Sequence, residues 1–334
     1  MSGPHQDQPR VFQMWTKQIS KLRVLTLSLA SFAAAGFFYS LVPDSEWRQK
    51  AEDSIMLVDW SGFGPEKGLY NFTLVTAMID IGRGDWDSQA RSYSTYLLYM
   101  QRVLRLDVNI VVYVDPKGKP FIEWMRRGRE NHTTIVTMTI QELPYFQLKD
   151  RMAEIMNSET YKEGNELVAK QLCESSSPEY DIVQLSKLYL MDRTVTLNPF
   201  NSTYFIWMDG GYGKGENVHP PDGIWIPKGL FEHADQMTFL ERKPGVAAFA
   251  SVRQKIHKMS INIMPGGFFA GGGSAIRELY RMQKHELARW MEEGIIDDDQ
   301  TMYMQLYFQK PSLFRLVPAD WYDVFKLFNA HTST

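Results

Sequence analysis

The chain has 334 residues, enough for one large domain of roughly 250 residues with an appendage and too few for three ordinary domains. Lys and Arg number 36 against 39 Asp and Glu, a formal charge of -3, so no global cationic field draws in a polyanion and nucleic acid is set aside as a partner. The single cysteine, Cys173, rules out an intramolecular disulfide and a cysteine-based zinc site, and reads as core filler.

Residues 24–42, VLTLSLASFAAAGFFYSLV, form a charge-free run of 19. As a helix rising about 1.5 Å per residue, the run nearly matches a bilayer core of about 30 Å. Arg10, Lys17, Lys21 and Arg23 precede it against one acid, Asp7, while Asp44, Glu46, Arg48 and Lys50 follow in balance. The positive-inside rule then keeps the N-terminus cytosolic and predicts a single-pass type II anchor rather than a cleaved leader. The sequence divides into a cytosolic tail (1–23), the span (24–42), a turn-rich stem (43–67) and one domain (68–330).

Within that domain short apolar runs alternate with helical spacing: a strand at 72–78, a helix at 88–104, a strand at 109–114, a helix at 121–129 and a further apolar run at 134–140. Residues 147–177 are polar and mix helix with loop, 181–190 return to helical spacing, and 204–208 form another apolar run. This alternation predicts an α/β fold, a mostly parallel sheet flanked by helices. Acids or polar loops follow each strand directly (Asp80, Asp115, Gln141 with Glu142, and Asp209), which puts them at the carboxyl edge, where open α/β sheets bind ligands. The sequons at Asn71, Asn131 and Asn201 each sit just before a strand, so glycans there would decorate the opposite edge of a lumenal domain.

The segment FIWMDGGYGKG places Asp209 where a strand meets a glycine-rich turn. A carboxylate in that position is a ligand for Mg²⁺ or Mn²⁺ or a turn cap, and the company of other acids on the edge favours the ligand. In TAMIDIGRGDWDS the acids after Asp80 suit helix caps, whereas Arg83 carries a planar fork able to grip a diphosphate. Asp115 opens a proline-glycine turn and is either a turn former or an acceptor for a ribose hydroxyl or base edge. Gly271 and Gly272 lie in MPGGFFAGGGSAIREL, a bare backbone that lets a bulky ligand pass close before a helix opens near Ser274. Asp297, Asp298 and Asp299 open another helix; one serves as a cap, and three exceed that need, leaving Asp298 or Asp299 as a general base or sugar-hydroxyl acceptor.

As an ordered set, FTLVTAMIDIGRGDW, RSYSTYLLYM, VQLSKLYLM, FIWMDGG, GGFFAGGGSAI and IIDDDQTMYMQLYFQKP resemble the HtrL/YibB family over about residues 72–328. That family is associated with bacterial lipopolysaccharide core gene clusters, is found also in animals, and is similar to GT-A glycosyltransferases, which use nucleotide-sugar donors and usually a divalent ion. The resemblance implies a GT-A-like, Rossmann-related sheet. It puts Asp209 at the strand-end metal position, although the usual motif has two acids flanking one residue and residues 207–211 supply one. It also implies that Thr76, Asp80 and Arg83 belong to the first-strand nucleotide region and Lys187 to the helix before the metal strand. The segment 268–273 resembles a glycine-bearing acceptor-side segment, and Asp299 with Gln300 the acid-Gln pair of a helix that faces the acceptor. The expectation is a Golgi-type membrane-anchored glycosyltransferase moving a sugar from a nucleotide-sugar, UDP-linked by preference, to a glycan, lipid or protein acceptor. The rivals are a catalytically inactive sugar- or nucleotide-binding scaffold and a glycan hydrolase, which needs two opposed carboxylates about 5 to 9 Å apart.

Overall fold

The computed structural model describes residues 71–86, 90–221 and 223–328, all within one compact unit, Asp59–Thr334. The expected span at 24–42 lies outside the described residues. Among those residues no helix is long and apolar enough to cross a membrane.

Seven strands form one sheet in the order β3-β2-β1-β4-β6-β5-β7. They are β1 (Phe72–Met78), β2 (Ile110–Val114), β3 (Thr133–Thr137), β4 (Tyr204–Met208), β5 (Met237–Glu241), β6 (Phe268–Gly272) and β7 (Phe314–Pro318). β1, β2, β3 and β4 run parallel, β5 pairs parallel with β7, and β6 alone is antiparallel to its neighbours β4 and β5. Every residue of β2 (IVVYV) and β4 (YFIWM) is buried, as expected for strands covered on both faces. Val75, Val111, Tyr113, Phe205, Trp207, Phe239 and Phe269 point into the main core.

The crossover from β1 to β2 carries α1 (Tyr93–Leu104), and that from β2 to β3 carries α2 (Lys119–Met125). Ser92 caps α1 by accepting from the Thr95 amide at 3.2 Å, so the helix begins at Tyr93 and not at the expected Ser88, which lies outside the described residues. Between β3 and β4 the chain passes through α3 (Lys149–Asn157), α4 (Pro178–Leu185) and α5 (Lys187–Leu197) and re-enters the sheet on the other flank of β1. The run at 181–190 is therefore two helices meeting at Ser186 rather than one. After β6 come α6 (Gly273–Glu293) and α7 (Asp299–Gln309); α8 (Val324–Phe328) closes the described chain.

The strand order reverses at β1 and β4: the chain leaves β1 toward β2 and β3, and β4 returns beside β1 on the opposite side. Loops from those two carboxyl ends diverge and open a crevice between them. At the other edge Asn71, Asn131 and Asn201 are exposed at the amino ends of β1, β3 and β4.

The C-terminal carbonyls of α1 and the loop behind it lack helical partners. Arg126, 1% exposed, supplies them: Nη1 donates to the Leu104 carbonyl (3.0 Å) and the Leu106 carbonyl (2.7 Å), Nη2 to the Val108 carbonyl (2.9 Å), and Nε to Thr133 Oγ1 (2.8 Å). Arg129 backs it, donating to the Arg105 and Leu106 carbonyls. Arg126→Met removes these donors without emptying the space, so urea unfolding should show a loss of about 3 kcal/mol. A change within about 0.5 kcal/mol would mean that the carbonyls find other donors.

Candidate active site

Lys187 begins α5 directly beneath the crevice and is 4% exposed. Its Nζ lies 3.0 Å from Asp209 Oδ1, 2.8 Å from Asp299 Oδ2 and 3.1 Å from the Gly266 carbonyl oxygen. Four segments distant in sequence therefore meet at one ammonium: the start of α5, the end of β4, the loop before β6 and the start of α7. Burial alone lowers a lysine's pKa, but the Asp209 and Asp299 carboxylates outweigh it and raise Lys187 above its ordinary value.

Asp209 is held from three further directions. Trp207 Nε1 donates to Oδ1 at 2.7 Å, the Asp209 amide donates to the Gly267 carbonyl at 2.9 Å, and the Tyr212 amide closes the turn on the Asp209 carbonyl at 2.9 Å. Its side chain keeps 37% exposure, so it faces the crevice, whereas the Asp299 side chain at 3% lies behind it. Gly266 makes this possible: a Cβ there would collide with the Asp299 carboxylate.

Above this floor lies a cleft of about 280 Å³. Its cationic wall is Arg83, Arg91 and Lys214, interleaved with Tyr96 and Tyr99 of α1. Arg83 Nη1 donates to Tyr96 Oη at 2.8 Å, Arg91 sits over the rings of Tyr96 (5.3 Å) and Tyr99 (5.8 Å), and Lys214 over Tyr99 (5.4 Å). Burial first, then repulsion from Arg91 and Arg83, lowers the Lys214 pKa. Aromatic side chains complete the walls, with Trp207, Tyr212, Trp321 and Tyr322 among them. A hollow with clustered cations and flat rings suits a ligand that joins an anion to a planar group.

The sequence-predicted residues divide. Asp80, Arg83, Lys187 and Asp209 line the cleft together. Asp80 accepts from the Gly82 amide at 2.9 Å and pairs with Lys117. Asp115 is outside the cleft lining and caps the turn after β2, accepting from the Lys117 amide at 3.3 Å. Thr76 is fully buried within β1, two residues short of its end, and so does not reach a ligand. Gly271 and Gly272 are misplaced in the expectation: β6 runs antiparallel, so they pair with Phe205 and Tyr204 at the far edge. Their missing side chains admit Met237 and the Ala234 carbonyl, not a ligand. The glycines at the crevice are Gly266 and Gly267, which precede β6. Asp298 is the N-cap of α7, with Oδ1 accepting from the Gln300 amide (2.9 Å) and Oδ2 from Gln300 Nε2 (3.0 Å). Neither Asp298 nor Asp299 reaches the cleft surface, so the general-base role expected of them has no open path to an acceptor in this conformation.

Sequence reasoning passed over Arg91, Lys214 and the α1 tyrosines. Tyr93, Tyr96 and Tyr99 recur every third residue, a helical spacing that puts all three on the cleft side, and Lys214 stands inside the glycine-rich segment after Asp209.

Comparison with known proteins now adds kinship. The family described as "Bacterial protein of unknown function (HtrL_YibB)" matches residues 70–330. The chain belongs to the HtrL_YibB family. Protein HtrL of Escherichia coli (strain K12) is 27% identical to this HtrL_YibB member over 276 residues, covering 78% of this chain and 93% of that protein. Among solved structures, apo mouse xyloside xylosyltransferase 1 aligns at 13% identity and a TM-score of 0.38, covering 77% of this chain and 93% of that one. The 4-diphosphocytidyl-2C-methyl-D-erythritol synthase of Anaerococcus prevotii aligns at 9% and 0.34, covering 79% and 92%.

The buried acids of this HtrL_YibB chain make a pH prediction. Burial, then the Glu174 carboxylate, pushes Asp298 up to about 6 against the pull of Gln300 and Lys187. Burial also lifts Asp299 to about 7, with Lys187 opposing and Asp298 and Asp209 adding. Both folded values exceed the ordinary aspartate value of 3.8, so this contribution to stability is complete below about pH 4 and is lost as pH rises through about 6 to 7. Asp298→Asn keeps a capping oxygen and cannot ionise. Relative to wild type it should therefore gain on the order of 2 kcal/mol between about pH 4 and pH 7 in chemical unfolding. An offset that stays constant across that range would contradict the burial argument.

Proposed function

We propose that this HtrL_YibB chain is a membrane-anchored glycosyltransferase that moves a sugar from a nucleotide-sugar, UDP-linked by preference, to a glycan, lipid or protein acceptor. The observation that carries this reading is the cationic and aromatic cleft at the strand-order switch, with Asp209 at its floor. A nucleotide-sugar offers the matching parts: a planar base for the tyrosine and tryptophan faces, a diphosphate for Arg83, Arg91 and Lys214, and sugar hydroxyls for the exposed Asp209 carboxylate. In transfer the acceptor hydroxyl oxygen bonds to the anomeric carbon and gives its proton to the exposed Asp209 carboxylate and on to solvent, while the bond from that carbon to the diphosphate oxygen breaks. The electron pair goes to the diphosphate, and the cations that already face it stabilise the added charge without rearrangement.

The anchor at 24–42 and a Golgi lumenal location belong to the same proposal. Supporting it, the three sequon asparagines are exposed at the edge opposite the cleft, where glycans leave the site open. A second reading, donor binding without transfer, draws on the burial of Asp299, which leaves Asp209 and the ion-paired Asp80 as the carboxylates of the cleft lining.

The test is calorimetric titration of the purified protein with UDP-, GDP- and CMP-sugars, joined to an assay for sugar release or transfer. The proposal expects one donor class to bind and to turn over. Asp209→Asn should keep donor affinity within about threefold while lowering turnover by about 100-fold or more. Binding with no turnover to any acceptor or to water would favour the second reading, and silence toward all donors would defeat both.

A further inference from the structure

A divalent cation at the end of β4 needs carboxylate oxygens with open lone pairs, commonly from one or two protein acids together with substrate phosphate. The residues do not fit that ion. Asp209 Oδ1 already accepts from Trp207 Nε1 at 2.7 Å and lies 3.0 Å from Lys187 Nζ, and Oδ2 is 3.3 Å from the same nitrogen. Asp299, the other acid within reach, gives its Oδ2 to Lys187 at 2.8 Å. With the Gly266 carbonyl at 3.1 Å, the three N–H donors of the ammonium meet three acceptors. The space between the two carboxylates is therefore filled by a covalently tethered cation. Among the described residues no group of three or more His, Cys, Asp or Glu side chains is arranged to hold a metal. A metal ion entering here would have to expel a buried ammonium from its partners, which costs more than it returns unless new partners replace them.

The charge that a metal would supply stands elsewhere in the cleft. Arg83, Arg91 and Lys214 crowd one wall and stack on tyrosine rings, and among the described residues neither Arg91 nor Lys214 forms an ion pair. A nucleotide-sugar diphosphate carries about two negative charges, and the released nucleoside diphosphate about one more. Arg91 and Lys214 match the two charges of the donor, and Arg83 stands beside them on the same wall.

Resting on the transferase reading, we propose that this protein binds its nucleotide diphosphate without a divalent metal, with Lys187 in the cation position between Asp209 and Asp299 and with Arg83, Arg91 and Lys214 compensating the phosphates. Lys187 is then a positioning residue: it presents the Asp209 carboxylate and has no N–H left over for phosphate.

The experiment titrates the full-length, detergent-solubilised protein with UDP and with GDP, each once in EDTA and once in Mn²⁺, and follows free Mn²⁺ by electron paramagnetic resonance. The proposal expects the better nucleotide to bind with affinities that agree within about twofold in the two buffers. It also expects no protein-bound Mn²⁺ in the absence of nucleotide. Arg91→Ala and Lys214→Ala should each weaken binding about tenfold or more, with no recovery in Mn²⁺. Affinity that collapses in EDTA and returns with Mn²⁺ would overturn the metal-free proposal and leave the transferase reading standing. No binding of either nucleotide in either buffer would overturn both.

Discussion

Two carboxylates brought close together in a protein interior repel, and neither stays ionised cheaply without a compensating cation. At the crevice of this sheet the cation is the ammonium of Lys187, 2.8 Å from Asp299 and 3.0 Å from Asp209. Its attraction holds α5, β4, the loop before β6 and the N-terminus of α7 at one point. Removing it would strand two acids, one of them 2% exposed, and such a break in a buried pair costs about 3–5 kcal/mol. The cleft inherits its shape from this knot, because the orientation of Asp209 and the closeness of Gly266 to Asp299 are both set there.

Upper and lower parts of the site then have separate duties. The floor sets the Lys187 ammonium between Asp209 and Asp299, with Trp207 Nε1 also on Asp209 Oδ1, so much of its charge is matched inside the protein while the Asp209 carboxylate keeps a face open to the cleft. The wall sets Arg83 beside Arg91 and Lys214 on aromatic rings; among the described residues neither Arg91 nor Lys214 forms an ion pair, so a bound anion would compensate these two. On the proposed transferase reading the wall would hold the anion and the floor would align the sugar, and one strand-end acid would then suffice where a metal site asks for more.

Much of the scaffold could be read from the sequence because β2 and β4 are continuous apolar runs buried on both faces and β1, though broken by Thr73 and Thr76, is buried up to Thr76; each is followed by its acid or turn at the carboxyl edge. The run at 134–140 overlaps β3, whereas β5, β6 and β7 hid for identifiable reasons. FFAGG of β6 carries two glycines that read as loop, although their absent side chains serve close packing against Met237 and Ala234. FRLVP of β7 contains an arginine and ends on proline, and MTFLE of β5 is only five residues long. Missing the reversed direction of β6 moved the site glycines from 266 and 267 to 271 and 272. Lys187 was named from likeness alone, and Asp299 first from the run of three acids that opens a helix. Their contact with each other depends on how α4, α5 and α7 pack, and no spacing in the sequence encodes that.

The organising role of the Lys187 ammonium rests on its energetic coupling to Asp299. A double-mutant cycle with Lys187→Met, Asp299→Leu and the pair, read by urea unfolding, measures it directly. Each single change should destabilise by about 3 kcal/mol or more, and the double change should fall short of their sum by about 2 kcal/mol or more. Effects that add within about 0.5 kcal/mol would show that the two side chains are neighbours without being partners, and the organising role of the ammonium would be refuted.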